Sequence, residues 1–338
     1  MKAAVYKGKQ QLAVEEIPTP DPGPGQVLVK VLYSAICGTD VHAFLYDIPP
    51  PGTVMGHEFS GNVVKVGRGV SAWHEGDRVV SGIGDPPPGL GPGFTHDARF
   101  NYRLMGFAGG KLRGYAEYVV MEEWEATKIP EGLDDRTAAL SEPCSVAVRA
   151  VRLSDLRLGD SVAVLGAGPI GMLTLQTAKA AGADMVYVSE PTRARTRAAL
   201  LLGADAVVDP TTENVVNRME SLNGGKGPDV VFDCAGVGST LDQAFNMVRK
   251  QGQVVLVAVP WEPIPVLPVD WMAREVKLQT TFGSRIEDQR ISLDLLRSGK
   301  VSIEPMLSEA EFISLEDIQQ AFEALVKPSS QLQMVVRF

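Results

Sequence analysis

SVAVLGAGPIGMLTLQTAKAAGADMVYVSE, residues 161–190, decides the fold: it reads as strand, glycine turn, helix and second strand. SVAVL is one continuous apolar run, the pattern of a strand with helices over both faces. The run from Pro169 to Gly182 is helical, and MVYVSE (185–190) returns to strand. The same grammar continues on the C-terminal side. PTRARTRAALLLG is a helix, AVVD (206–209) a strand, ENVVNRMESLNGG a helix, DVVFDCAG (229–236) a strand, STLDQAFNMVRKQG a helix and VVLVAV (254–259) a strand. Strands alternating with helices of about 10–15 residues predict βαβ units and an α/β fold with a doubly wound parallel sheet.

Gly166, Gly168 and Gly171 spell G-x-G-x-x-G within GAGPIG, after a strand and at the opening of a helix, where the dinucleotide fingerprint needs them. Gly166 permits the tight turn, Gly168 lets the backbone approach a pyrophosphate, and Gly171 lets helix and strand pack closely. Pro169 suits a first helical turn, and Pro169 and Ile170 complete the loop whose amides face the phosphates. Glu190 ends the next strand, 19 residues beyond Gly171. An acid there accepts hydrogen bonds from ribose hydroxyls and repels a 2′-phosphate, so NAD is expected in preference to NADP. Arg193, Arg195 and Arg197 follow, with Arg195 the candidate for the adenosine end. Cys234, at a strand end of the same sheet, is expected to be apolar filling rather than a reactive thiol.

The first 150 residues have another texture. VLVKVLYSA, GNVVKVG, DRVVSG and YAEYVVM are short Val- and Tyr-rich strands punctuated by Gly and Pro, so an irregular β-rich domain precedes the α/β one. Residues 82–114 are a Gly/Pro-rich lobe read as a long surface loop. After residue 284 come two helical stretches, DQRISLDLLRSG and LEDIQQAFEALVKP, and a closing strand, QMVVRF. The full chain of 338 residues, 45% hydrophobic and 22% charged, suits two domains with a large core. Its formal net charge of −9, with no basic block, argues against nucleic acid and anionic membranes as partners. No signal peptide or apolar span of about 20 residues is visible. Three isolated cysteines, Cys37, Cys144 and Cys234, fit a reducing cytoplasm and no disulfide framework.

Cys37 sits in AICGTDVH and His57-Glu58 in MGHEFSG. Thiolate, imidazole and carboxylate are all zinc donors, and a catalytic zinc takes three of them plus an open position. Neighbours on a regular strand diverge, so His57 and Glu58 can share an ion only on a turn, which Gly56 would provide. Glu142, in ALSEPCSVAVRAV, is a fourth candidate at the start of the second domain.

These segments resemble, in order, the zinc-dependent medium-chain dehydrogenases, and most of all the sorbitol (polyol) and 2,3-butanediol dehydrogenase branch. The resemblance covers essentially the whole chain and rests on CGTDVH (37–42), GHEFSG (56–61), EGDRV (75–79), GYAEYV (114–119), SEPCSVAVRAV (141–151), LGAGPIGMLTLQTAKAAGA (165–183), VSEPTRAR (188–195) and LEDIQQAFEAL. It implies a GroES-like catalytic domain over 1–147 and 285–338 and a Rossmann domain over 148–284. It implies one catalytic zinc on Cys37, His57 and Glu58, with Glu142 as fourth ligand or holding water. Asp40 would orient His57, and Thr39 and His42 would carry the substrate proton to solvent. The substrate would be a small-molecule secondary alcohol, polyol or vicinal diol, and the chain a homodimer or homotetramer.

Many relatives carry four cysteines for a structural zinc in the lobe after GDRV; residues 82–114 hold none, so no structural zinc is expected, and Asp85, His96 and Asp97 lack metal spacing. An L-threonine 3-dehydrogenase-like activity is the nearest alternative, although Cys144-Ser145-Val146 follows the Glu-Pro where threonine enzymes have Gly-Asn-Ala. A non-catalytic nucleotide-binding protein and a zinc-free quinone or enone reductase are the others. Phe44, Tyr46, Phe59 and Trp261 are candidate pocket residues.

Overall fold

The computed structural model describes residues 1–82, 113–326 and 331–338. The 82–114 lobe therefore lies almost wholly outside the described residues, and with it the expectation about a structural zinc. The chain forms two compact units: Met1–Glu142 with Ser284–Arg297 and Leu307–Phe338, and Pro143–Gly283 with Ser298–Met306. Against the expected boundaries, 143–147 and 298–306 fall with the second unit. The second of these segments is tied there by Gln176, whose Oε1 accepts from Ser302 N–H at 2.7 Å and whose Nε2 donates to the Ser302 carbonyl at 3.1 Å.

In the first unit, β1 (Lys2–Gly8) and β2 (Gln11–Glu16) form an antiparallel hairpin. The ten-residue β3 (Gln26–Ala35) leads into a short helix, α1 (Gly38–Leu45), and then β4 (Glu58–Val66), β5 (Arg78–Ser81), β6 (Tyr118–Glu122) and β7 (Ala126–Lys128). The inward residues Val27, Val29 and Val31 of β3 alternate with outward ones and pack on Phe59, Val63, Val79 and Val119. The short helix α2 (Asp135–Ala138) follows, and then α3 (Ser141–Leu153), whose first two residues belong to this unit and the rest to the second. The unit is completed by the end of the chain: β14 (Phe312–Ile313) and β15 (Val335–Arg337) join the sheet in the order β14-β15-β3-β4-β5-β7, with β6 also on β3. Helix α10 (Ile318–Leu325) places Phe322, fully buried, against Phe44 and Tyr115.

The second unit holds β8 (Ser161–Leu165), β9 (Met185–Ser189), β10 (Ala206–Val208), β11 (Val230–Asp233), β12 (Gln253–Leu256) and β13 (Lys277–Thr280), all parallel. Their order is β10-β9-β8-β11-β12-β13, the 3-2-1-4-5-6 order of a dinucleotide-binding sheet. The direction reverses between β8 and β11, so the ligand crevice falls at the C-terminal ends of those two strands. Helices α4 (Pro169–Ala180), α5 (Arg193–Leu201), α6 (Val215–Leu222), α7 (Gly238–Met247) and α8 (Val269–Arg274) lie between them. All five residues of β8 are buried, as its unbroken apolar run requires. No helix among the described residues is long and apolar enough to cross a membrane.

Candidate functional site

Cys37 caps the N-terminus of α1, and its Sγ accepts the Thr39 N–H at 3.4 Å. Unpaired amides at a helix start favour negative charge, so this is a place where a thiolate is at home. His57 and Glu58 follow Gly56, whose φ of +95° is left-handed; a Cβ there would stand 2.8 Å from the Tyr115 ring and 2.9 Å from its backbone nitrogen. Only glycine fits, and the turn it makes swings two consecutive side chains inward. One ligand atom each from Cys37, His57 and Glu58 lies within 4.8 Å of the others.

Groups around this trio hold it in place. The Ser81 hydroxyl donates to the His57 carbonyl at 2.6 Å and accepts from Phe59 N–H at 3.0 Å, pinning the turn from β5. Asp40, fully buried on α1, sets Oδ2 3.6 Å from Nδ1 of His57 and accepts the Tyr115 hydroxyl on the same oxygen at 2.7 Å. With Nδ1 facing a carboxylate, Nε2 is the nitrogen left for a metal, the usual division of labour in a ligating histidine. Glu142, buried in the first turn of α3, lies outside the 4.8 Å trio but close enough to Glu58 to raise its pKa. Ser141 beside it is held by Gln289, on the helix α9 (Ile286–Arg297), through Nε2 at 2.8 Å.

The electrostatics suit a cation. Burial, reinforced by Glu142, pushes Glu58 up to about 8, and burial with the charge of Glu58 pushes the Cys37 thiol up to about 11. Burial also raises Glu142. For His57 burial acts downward, but the charges of Asp40 and Cys37 outweigh it and hold the imidazole well above 6.5. Oε2 of Glu58 and Oδ1 of Asp40 are buried with no hydrogen-bond partner. A divalent cation would favour the ionised thiol and carboxylate and the neutral imidazole, opposing all three upward shifts, and the unpartnered Glu58 oxygen is a donor available to it. Sulfur, nitrogen and oxygen donors gathered this closely, Glu58 buried and Cys37 and His57 half-buried, fit zinc.

Thr39 is half-buried in the first turn of α1. His42, one turn on, puts Nδ1 2.7 Å from the Gly38 carbonyl. A carbonyl only accepts, so Nδ1 carries the hydrogen and Nε2 the lone pair. Tyr46, 45% exposed, stacks on His42 with ring planes 15° apart. Phe44 is no pocket residue: it is 1% exposed and packs against Tyr6 and Phe322 in the core. Phe59 does double duty, lining a small cavity with His57, Ser81, Arg113, Met121 and Glu142 while packing in the sheet core. Trp261 is half-buried in the second unit.

In the second unit the glycines stand as the fingerprint demands. Gly166 has φ +89°, and a Cβ on Gly171 would lie 1.9 Å from the Gly166 carbonyl oxygen, so helix and turn meet there with no room for a side chain. Gly168 caps α4, Pro169 opens it, and nothing within 4 Å confronts a Cβ at Gly168, leaving that approach open. Ile170 lies in the first turn. Glu190 is buried, and its two oxygens accept Ala167 N–H at 2.8 Å and Thr192 N–H at 2.9 Å. The carboxylate thus stitches the glycine loop to the end of β9, with a second lone pair on each oxygen still to use. Arg195 is half-buried on α5, whereas Arg193 and Arg197 are exposed. Cys234 places Sγ 3.7 Å from Thr174 Oγ1, and desolvation pushes its thiol up to about 12, so it stays protonated.

Fold and site together define a metal- and dinucleotide-dependent oxidoreductase. Residues 23–131 match the alcohol dehydrogenase GroES-like domain, and 169–298 the zinc-binding dehydrogenase domain. The chain is 37% identical to a (R,R)-butanediol dehydrogenase of Bacillus subtilis strain 168, over 100% of this chain and 99% of that one. It is 30% identical to a sorbitol dehydrogenase of Halalkalibacterium halodurans, over 96% of each. A solved structure from Sinorhizobium meliloti 1021, described as a zinc-binding dehydrogenase bound to NADP, superposes with a TM-score of 0.87 at 33% identity, covering 100% of this chain and 99% of that one. The chain belongs to the zinc-dependent medium-chain dehydrogenases, in their polyol and butanediol branch.

Three supporting residues, Tyr115, Ser81 and Gln289, carry no local sequence signal of their role. Tyr115 lies inside the GYAEYV motif, but an aromatic at a strand start reads as core, and nothing local announces that its hydroxyl meets a carboxylate 75 residues earlier.

Proposed function

We propose that the enzyme oxidises a secondary alcohol, best a polyol or vicinal diol, with NAD as hydride acceptor, and reduces the matching ketone in reverse. The observation that carries this reading is the Cys37, His57 and Glu58 trio, gathered within 4.8 Å in a chain that also builds a dinucleotide glycine turn. Cys37, His57 and Glu58 would hold one zinc ion, with Glu142 as fourth ligand or acting through water. When bound, zinc supplies Lewis acidity that makes a substrate hydroxyl acidic near neutral pH.

The protein's own groups do the rest. Asp40 orients His57. Thr39 and His42 pass the hydroxyl proton outward, His42 receiving it on Nε2 because Nδ1 is committed to Gly38. Phe59 and Met121 give the cavity beside His57 part of its apolar lining. Gly166, Gly168, Pro169, Ile170 and Gly171 present the N-terminus of α4 to the pyrophosphate, and the anionic Glu190 favours a ribose hydroxyl over a 2′-phosphate, which supports NAD over NADP. Arg195 would face the adenosine end. The first unit is the catalytic domain and the second the coenzyme domain.

The absence of cysteine from 82–114 supports a single, catalytic zinc. An assembly of two or four chains is supported by β13, an edge strand of the sheet among the described residues, where Leu278 is 47% exposed, and by the exposed Leu267, Val269 and Met272 in the segment that precedes it in sequence. Three isolated cysteines support a cytoplasmic location. The test is NAD reduction over a panel of vicinal diols, polyols, simple secondary alcohols and threonine, with and without a chelator. Turnover of diols that stops on chelation and returns with zinc is expected; selective turnover of threonine, or activity indifferent to chelation, would replace this reading.

A further inference from the structure

We propose that Tyr115 is a positioning residue of the metal site, its hydroxyl clamping the Asp40 carboxylate so that the carboxylate fixes the ring of His57. This rests on the zinc reading above and adds a residue to it.

Asp40 is fully buried, and among the described residues the Tyr115 hydroxyl is its one hydrogen-bond donor, at 2.7 Å; Oδ1 has no partner. The His57 contact, at 3.6 Å, is too long for a hydrogen bond and cannot orient the carboxylate by itself. Both contacts fall on Oδ2, so the oxygen that faces His57 is the one Tyr115 holds. A hydroxyl has one proton to give. The alternative acceptor, the Ala35 carbonyl, stands at 3.3 Å, and the shorter, charge-assisted bond wins.

The ring that carries this hydroxyl cannot move. Tyr115 is fully buried, its N–H donates to the Met55 carbonyl at 3.0 Å, and its carbonyl accepts Ala4 N–H at 2.9 Å. Phe322 meets the ring edge to face, with centroids 5.9 Å apart, and Gly56 lies against it so closely that no Cβ fits. One side chain therefore touches both segments that bring ligands: the Gly56 turn carrying His57 and Glu58, and through Asp40 the helix capped by Cys37. Phenylalanine at this position keeps every packing contact and deletes the clamp alone.

The test compares Tyr115→Phe with the parent as zinc-loaded protein, in the presence and absence of Asp40→Asn. Zinc affinity is read by competition with a chromophoric chelator, ligand geometry by the visible spectrum of the cobalt-substituted protein, and folding by the melting temperature of the metal-free form. Tyr115→Phe should weaken zinc about 10–100-fold and shift the cobalt bands, with an unchanged metal-free melting temperature. In the Asp40→Asn background it should add nothing, because Tyr115 acts through Asp40. Zinc affinity within about two-fold of the parent, or an equal loss in both backgrounds alongside a lowered metal-free melting temperature, would overturn the assignment. A parent that binds no zinc takes the proposed function down as well; a parent that holds zinc beside an indifferent variant defeats this inference alone.

Discussion

The two sites of this enzyme are built in opposite ways. The glycine turn of the second unit is local and made of backbone: Gly166, Gly168 and Gly171 lie within six residues, and its shape follows from where a side chain will not fit. The proposed metal trio of the first unit, Cys37, His57 and Glu58, is assembled from a helix cap and from the turn that enters β4, with Glu142 beside it at the start of α3, and its character comes from charge out of contact with water. A backbone site fails by steric intrusion and does so at once. A charge site fails in degrees, as pH or one supporting hydrogen bond changes.

The sharpest way to break the contrast is to disable one site and watch the other. His57→Ala should remove zinc and lower kcat/KM about 10³-fold or more, since several kcal/mol of charge stabilisation go with the metal. NADH binding, followed by fluorescence, should persist. If coenzyme binding fell equally, the sites would not be independent. Gly171→Ala is the converse. With its Cβ placed 1.9 Å from a backbone oxygen, it should cost a few kcal/mol in urea unfolding and abolish NADH binding, while zinc content per folded chain stays at the parental level.

A pH series sharpens the charge side. In the folded, metal-free protein Glu58 holds its proton to about 8, against 4.5 for an unperturbed carboxyl, and His57 and Cys37 are displaced upward too. Each keeps protons that the unfolded chain has released. The associated stability is therefore present at low pH and lost as pH rises, from about 4.5 through 8 for Glu58. Metal-free protein should lose a few kcal/mol between pH 5.5 and 8.5 in thermal melts, and Glu58→Gln should flatten the slope. Zinc affinity should climb over the same range, because binding expels those protons. A metal-free stability that rises with pH would show that these groups are not buried together as described.

The smallest effect expected is at Glu190, where the two kinds of construction meet: a charge that braces a backbone loop through Ala167 and Thr192. Glu190→Gln keeps one acceptor and loses the charge, so the ratio of kcat/KM for NAD over NADP should fall about 10–100-fold, the worth of a charged hydrogen bond. An unchanged ratio would assign the carboxylate to bracing the loop alone.

The same contrast explains what could be read in the residues. β8 to β12 and their helices follow from apolar runs and glycines in one continuous stretch, and so does the fingerprint. β13 does not: KLQT is an edge strand with three exposed residues and no apolar run to betray it. Helix α1 is only eight residues long and begins at Cys37, whose role as a cap has no strong propensity behind it. In the proposed metal site the candidate donors Cys37, His57 and Glu58 are legible as residue types, and Gly56 as the turn they need. Their meeting depends on β3 and β4 pairing over Ala35 and Glu58, a long-range register that local patterns do not encode. Tyr115, Ser81 and Gln289 act by hydrogen bonds across 22 to 148 residues of separation, beyond any local pattern.

The most direct test of the central claim is the metal content of purified, active enzyme, titrated against diol-dependent NAD reduction during stepwise removal and return of zinc. Activity should be proportional to bound zinc up to one ion per chain, and neither Cys37→Ala nor His57→Ala should retain that ion. Full activity in protein stripped of metal, or one ion per chain still held after either substitution, would contradict it.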